Sequence, residues 1–108
     1  MIVYLETEAT RQDIKNASEE YGDYIKIVVD VERKVLAMGG RLHADAEEVL
    51  LKKGSRQRDL WGGGYDINTK KVDMQAMINL RPGQGNDSME ILDPDFRTKF
   101  MKLVEDLL

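Results

Sequence analysis

The stretch Tyr24-Ile25-Lys26-Ile27-Val28-Val29-Asp30-Val31-Glu32-Arg33-Lys34-Val35-Leu36-Ala37-Met38 reads as two strands and the turn between them. β-Branched residues dominate its first half, and Ile25, Ile27, Val29 and Val31 alternate onto one face. Glu32-Arg33-Lys34 is a polar turn, and Val35 to Met38 returns as the partner strand. A turn this short permits only antiparallel pairing. Gly39-Gly40 then ends the pattern.

Working outward, Ile2 to Leu5 predicts a first strand. Thr10 with Asp13 predicts a capped helix through Ile14, Ala17 and Tyr21 to Gly22. A second helix begins at His43 or Asp45, with Glu47 and Glu48 near its positive end, and stops at Gly54. Leu60 to Ile67 and Val72 to Leu80 predict two further strands joined by Asn68-Thr69-Lys70-Lys71. Asp93 caps a last helix with Pro94 at its first position, along which Phe96, Phe100, Leu103, Val104 and Leu107 form an apolar stripe. The order β-α-β-β-α-β-β-α predicts an α+β fold, with an antiparallel sheet of four to five strands and the helices on one face.

The chain has 108 residues, 42% of them hydrophobic and 33% charged, with a formal charge of −4. That length fits one domain over residues 1–108. No apolar run is long enough to span a membrane, and MIVYLETEAT lacks the plan of a signal peptide, so the expected location is the cytoplasm. The absence of cysteine excludes disulfides, thiolate nucleophiles and cysteine zinc sites. Charge is uneven: residues 1–32 carry −5, residues 33–81 carry +4 and residues 82–108 carry −3. A net acidic chain without aromatics interleaved in its basic cluster Lys52, Lys53, Arg56 and Arg58 argues against nucleic acid as a partner.

Three places could carry chemistry. The junction Gly39-Gly40-Arg41-Leu42-His43-Ala44-Asp45-Ala46-Glu47 holds the only imidazole, so His-based acid–base chemistry must use His43, with Asp45 to orient it. Without a second histidine or a spaced histidine pair, no metal site is expected. A helix start also collects acids for its dipole, which gives the same residues a purely structural use. The loop Asn79 to Ser88 offers Arg81, Gln84, Asn86 and Ser88 around two glycines, and an arginine there can hold a carboxylate or phosphate in two bonds. The loop lacks the third glycine of a dinucleotide fingerprint and the Gly-Lys-Ser/Thr of a P-loop, and a wide structural turn needs similar residues. Trp61, before Gly62-Gly63-Gly64, is either a stacking lid or the largest core side chain.

Two segments together resemble a known family. Val28-Val29-Asp30-Val31 through Met38-Gly39-Gly40-Arg41-Leu42-His43-Ala44-Asp45, continuing to Gly54-Ser55-x-Gln57-x-Asp59-Leu60-Trp61-Gly62, is similar to a small archaeal and bacterial family classed as a domain of unknown function. Met77-Ile78-Asn79-Leu80-Arg81-Pro82-x-Gln84-Gly85-Asn86-x-Ser88 resembles its second signature. The resemblance points to the same segments and brings no activity or cofactor. The triple glycine after Trp61 and the acidic Asp87 depart from the pattern.

Three functions follow from these residues. The first is a module binding a small polar or anionic ligand through Arg81, Gln84, Asn86 and Ser88, with His43 approaching and Trp61 covering it. The second is a small hydrolase-like enzyme using His43 and Asp45, with Arg81 and Asn86 opposing developing negative charge. The third is a structural or interaction protein, such as a homodimer formed through a sheet edge or the last helix.

Overall fold

The computed structural model describes all 108 residues. Eight elements follow the expected order: β1 (Ile2–Leu5), α1 (Arg11–Ala17), β2 (Tyr24–Asp30), β3 (Val35–Gly39), α2 (His43–Lys52), β4 (Leu60–Asp66), β5 (Val72–Asp73) and α3 (Pro94–Leu107). The strands form one antiparallel sheet in the order β1-β3-β2-β4-β5. The β2–β3 hairpin is its centre. Asp30 closes that hairpin by accepting from the backbone N–H groups of Glu32 and Arg33 at 2.9 and 2.8 Å, which lets Lys34 take a left-handed φ of 58°. No helix is long and apolar enough to cross a membrane.

The helices are not confined to one face. Ile25, Ile27 and Val29 of β2, with Leu36, Met38, Trp61 and Tyr65, face Ala17 of α1 and Phe100, Leu103, Val104 and Leu107 of α3. The alternate residues Val28, Val35, Ala37 and Leu60 form a second core under Ala46 and Leu50 of α2. The reason lies in β3, where Val35-Leu36-Ala37-Met38 is apolar at every position and buried at every position. A strand without polar alternation has two faces to bury. Burying a side chain such as Leu50 contributes about 1.5–3 kcal/mol, so α2 is held against the second face as α1 and α3 are against the first.

The strand expected from Val72 to Leu80 is cut short. β5 pairs with β4 only at Gly64↔Asp73 and Tyr65↔Val72. Beyond it the chain turns to pair with its own later residues: Ala76 N–H donates to Met89 O at 3.0 Å, and Ile91 N–H to Met74 O at 3.0 Å. Met77–Asn79 and Pro82–Gln84 are single helical turns. The alternation that suggested a strand persists only as far as Ile78, after which Asn79 is buried and Leu80 exposed. α1 also ends early, at Ala17, and Tyr21 lies in the following turn.

α3 matches its sequence signature closely. Asp93 accepts from the N–H groups of Asp95 and Phe96 at 2.8 and 3.4 Å, and Pro94 opens the helix.

Candidate functional site

Where β5 stops, residues Leu60 to Gly63 of β4 have no strand on their outer side. Backbone groups there must find other partners or forfeit about 1–3 kcal/mol each. Side chains from two separate segments, the start of α2 and the turn at residues 79–81, reach this stretch. His43, the first residue of α2, lies with Nε2 2.6 Å from Gly63 O. Asn79 acts as a surrogate peptide: its Oδ1 accepts from Gly62 N–H at 2.8 Å, and its Nδ2 donates to Gly62 O at 2.9 Å, Met89 O at 3.0 Å and Met74 O at 3.3 Å. Arg81 donates to Leu60 O, to Gln57 O at 3.0 Å and to Ile78 O at 2.8 Å. Asn79 and Arg81 thus take the outward-facing backbone groups of Gly62 and Leu60 in place of an edge strand, and His43 adds a bond to the carbonyl of Gly63.

Glycine makes this close approach feasible. A Cβ on Gly62 would meet Ala76 at 2.6 Å and the His43 ring at 3.2 Å, and one on Gly63 would collide with Asp73 O and lie 2.6 Å from the Phe100 ring. On Gly64 it would run into Tyr24, whose ring lies across the strand.

Arg81 is 8% exposed and its guanidinium carbon sits 4.5 Å from the centre of the Trp61 ring. Burial pulls its pKa below the ordinary arginine value, while the Glu47 carboxylate acts in the opposite direction. Trp61 is itself 1% exposed and packs on Phe96 with ring centres 5.1 Å apart, which makes it a core side chain under Arg81. Asn86 is also buried. Its Nδ2 donates to Asn79 O, Ser88 O and Glu90 O at 2.8 to 2.9 Å, and its Oδ1 accepts from Leu92 N–H at 2.9 Å. Ser88 Oγ accepts from Glu90 N–H at 3.0 Å. Exposed Gln84 bridges outward, donating to Arg58 O at 3.2 Å.

The residues singled out in sequence therefore do gather at one place. His43, Arg81 and Asn86 are joined through β4 and Asn79, with Gln84 and Ser88 on the connecting turns. Their hydrogen-bonding groups are directed at backbone. Asp45 is exposed on the first turn of α2 and no hydrogen bond links it to His43, whose ring is oriented by Gly63 O instead.

Three neighbours of His43 were not singled out in sequence. Tyr24 Oη donates to Asp73 Oδ2 at 2.7 Å; burial and that carboxylate push the phenol well above its ordinary pKa, so Tyr24 remains a donor. Burial lowers the pKa of His43, the Gly63 carbonyl opposes that shift, and the charge of Lys26 adds to it. A carbonyl oxygen carries no proton, so Nε2 bears the hydrogen and Nδ1 is left as an acceptor. Lys26 lies over the Tyr21 ring at 5.3 Å and forms no ion pair. The only sequence signal for this group was a Tyr-x-Lys alternation opposite the apolar face of β2.

The outer surface of the same segment is apolar. Met77, Leu80, Met89 and Leu92 are 77%, 50%, 48% and 47% exposed, half of the large apolar side chains so exposed in the chain. Three surface clefts of about 590, 570 and 570 Å³ flank α3 instead, and none is lined by His43, Arg81 or Asn86.

A family model described as a protein of unknown function (DUF5674) matches residues 3–107. The chain belongs to this family. The match spans both cores and every side chain that closes the edge of β4, so the family is defined over the whole of this architecture. Neither a curated protein nor a solved structure matches the chain.

Proposed function

We propose that the chain is a protein-interaction module whose contact surface is the segment Met77–Leu92. One observation carries this reading: Asn79, Arg81 and Asn86 of the segment are buried on backbone groups while Met77, Leu80, Met89 and Leu92 stand exposed. Irregular backbone of this length is normally soft, because it lacks a ladder of its own. Here Asn79, Arg81 and Asn86 bond it to β4 and to itself, so Met77, Leu80, Met89 and Leu92 are displayed on a firm base. Covering such side chains is favourable by roughly 1 kcal/mol for each half still exposed, at about 1.5–3 kcal/mol for a whole one. Exposed large apolar side chains concentrated on one segment are a feature of interaction sites.

The test is a photo-crosslinking residue placed at Met77 and, separately, at Thr98 on the exposed side of α3, each in cells that naturally make the protein. A discrete adduct from position 77, with none from position 98, supports the reading once the adduct's partner, purified, binds Met77→Gln at least tenfold more weakly than the native chain. No adduct at 77, or the same adducts from both positions, overturns it.

A second reading keeps a small polar or anionic ligand beside His43, and it is favoured by the Nδ1 acceptor, by the Tyr24–Asp73 pair, and by Lys26, which makes no ion pair and whose charge acts on the imidazole. Phosphates, nucleotides, carboxylates and divalent metals screened by thermal shift test it. A stabilisation that Lys26→Met abolishes supports this site, and one that survives both Lys26→Met and His43→Gln excludes it.

A further inference from the structure

The C-terminal side of the Met77–Leu92 surface is acidic. From Pro82 to Asp93 the chain has Asp87, Glu90 and Asp93 and no lysine or arginine. Asp87 and Asp93 are exposed, and Glu90 shares its carboxylate with Arg97 at 3.1 Å. The one cation inside the segment, Arg81, is buried against carbonyls. At its border with α2, Glu47 has a carboxylate oxygen that is buried and without a hydrogen-bond partner. At the far end, beyond Gln84, exposed Arg58 and Arg56 face the single carboxylate of Asp59 at 3.9 and 3.5 Å, so that end keeps a net positive charge and the acidic rim lies on the side of Asp87 and Asp93.

The apolar groups are tied through the same few bonds. Met77 follows Ala76, whose N–H bonds the carbonyl of Met89, and Leu80 follows Asn79, whose carbonyl is held by the Asn86 amide that also binds the N–H of Leu92. Two of the four are methionines, whose unbranched, polarisable side chains adapt to different apolar shapes.

Resting on the interaction reading above, we infer that the partner of this surface is a basic amphipathic helix of another protein, its apolar stripe on Met77, Leu80, Met89 and Leu92 and its cations along Asp87 and Asp93. A helix supplies apolar groups at three- and four-residue spacing, the form in which a short segment fills an apolar patch. Lysine or arginine flanking that stripe meets the acidic rim and speeds encounter, whereas an acidic helix is repelled.

The experiment uses two fluorescently labelled 18-residue helix-forming peptides with the same leucine stripe, one with lysine and one with glutamate on the polar face. Each is titrated by anisotropy against the full chain and against Met77→Gln/Leu80→Gln, Asp87→Asn and Leu42→Gln, in 150 mM salt. The inference expects the lysine peptide to bind at least tenfold more tightly than the glutamate peptide. It expects a loss of at least tenfold in Met77→Gln/Leu80→Gln, a several-fold loss with a shallower salt dependence in Asp87→Asn, and no change in Leu42→Gln, an exposed leucine elsewhere. Thermal unfolding of each variant confirms the fold. Equal binding of both peptides that Met77→Gln/Leu80→Gln still weakens overturns the basic partner and leaves the interaction reading standing. Binding of neither peptide also overturns the basic helix. Binding that Met77→Gln/Leu80→Gln leaves unchanged overturns both. Concentration-dependent dimerisation lost in Met77→Gln/Leu80→Gln assigns the surface to a second copy of the chain instead.

Discussion

Arg81→Lys separates the structural from the ligand-binding use of the arginine. In the native chain the guanidinium fork serves three backbone carbonyls, those of Leu60, Gln57 and Ile78, and lies on Trp61. A single ammonium at the end of a flexible stem reaches one of those carbonyls, and the planar stacking on the indole is lost. Two carbonyls are then left without partners. At about 1–1.5 kcal/mol each, the low part of the range because Arg81 borders solvent, plus roughly 0.5–1 kcal/mol for the stacked cation, the loss is about 2.5–4 kcal/mol. A domain of this size has about 5–15 kcal/mol in total. With a urea m-value of about 1.5 kcal/mol/M, the midpoint falls by roughly 1.7–2.7 M. Urea unfolding followed by Trp61 fluorescence reads this directly, with exposed Arg56→Lys as a control expected within about 0.5 kcal/mol of the native chain. An Arg81→Lys chain as stable as that control refutes the carbonyl-clamp reasoning and returns Arg81 to the ligand-binding groups.

Two further outcomes follow from the same contacts. Gly63→Ala forces a methyl group against Asp73 O and Phe100, so β4 must shift, and thermal unfolding should show a loss of at least about 2 kcal/mol; a Tm unchanged from native contradicts this packing. His43 is held neutral by burial, so its folded pKa lies below the unfolded value of 6.5, and the unfolded chain takes up the proton first as pH falls. Its contribution is complete above pH 6.5 and is lost between that pH and the lower folded pKa. The Tm of the native chain should therefore fall more between pH 7.5 and 5 than that of His43→Gln, whose amide can still donate to Gly63 O. Equal acid sensitivity contradicts a buried neutral imidazole.

Much of this architecture is legible in the sequence because it depends on local patterns. The β2–β3 hairpin follows from alternation and a short polar turn, and α3 from Asp93-Pro94 and its apolar stripe. The second core was also written there, in the unbroken apolar run Val35-Leu36-Ala37-Met38, but a helix stripe alone does not say which sheet face it covers. Val72 to Leu80 misleads for a different reason. Its alternation of buried and exposed positions is real over most of its length, yet alternation does not name a hydrogen-bonding partner, and that partner is Met74-Gln75-Ala76 with Met89-Glu90-Ile91. At the site, the density of Asn, Arg and Gln correctly marks a place rich in specific hydrogen bonds. The same donors and acceptors suit a ligand or a bare backbone edge, and only the early end of β5 shows that an edge was there to be filled. Tyr24 and Asp73 stay hidden because they meet across two strands distant in sequence, β2 and β5, and Lys26 because it is a single charge on β2.

Hydrogen exchange at the Gly62 amide tests the central claim, that polar side chains stand in for a missing strand along β4. Gly62 N–H has one partner, Asn79 Oδ1 at 2.8 Å, and no strand on that side. Followed by NMR under native conditions, it should exchange as slowly as the amides bonded between β2 and β4. In Asn79→Ala it should exchange orders of magnitude faster while those sheet amides remain protected. A Gly62 amide that exchanges rapidly in the native chain, or that stays protected in Asn79→Ala, contradicts the account.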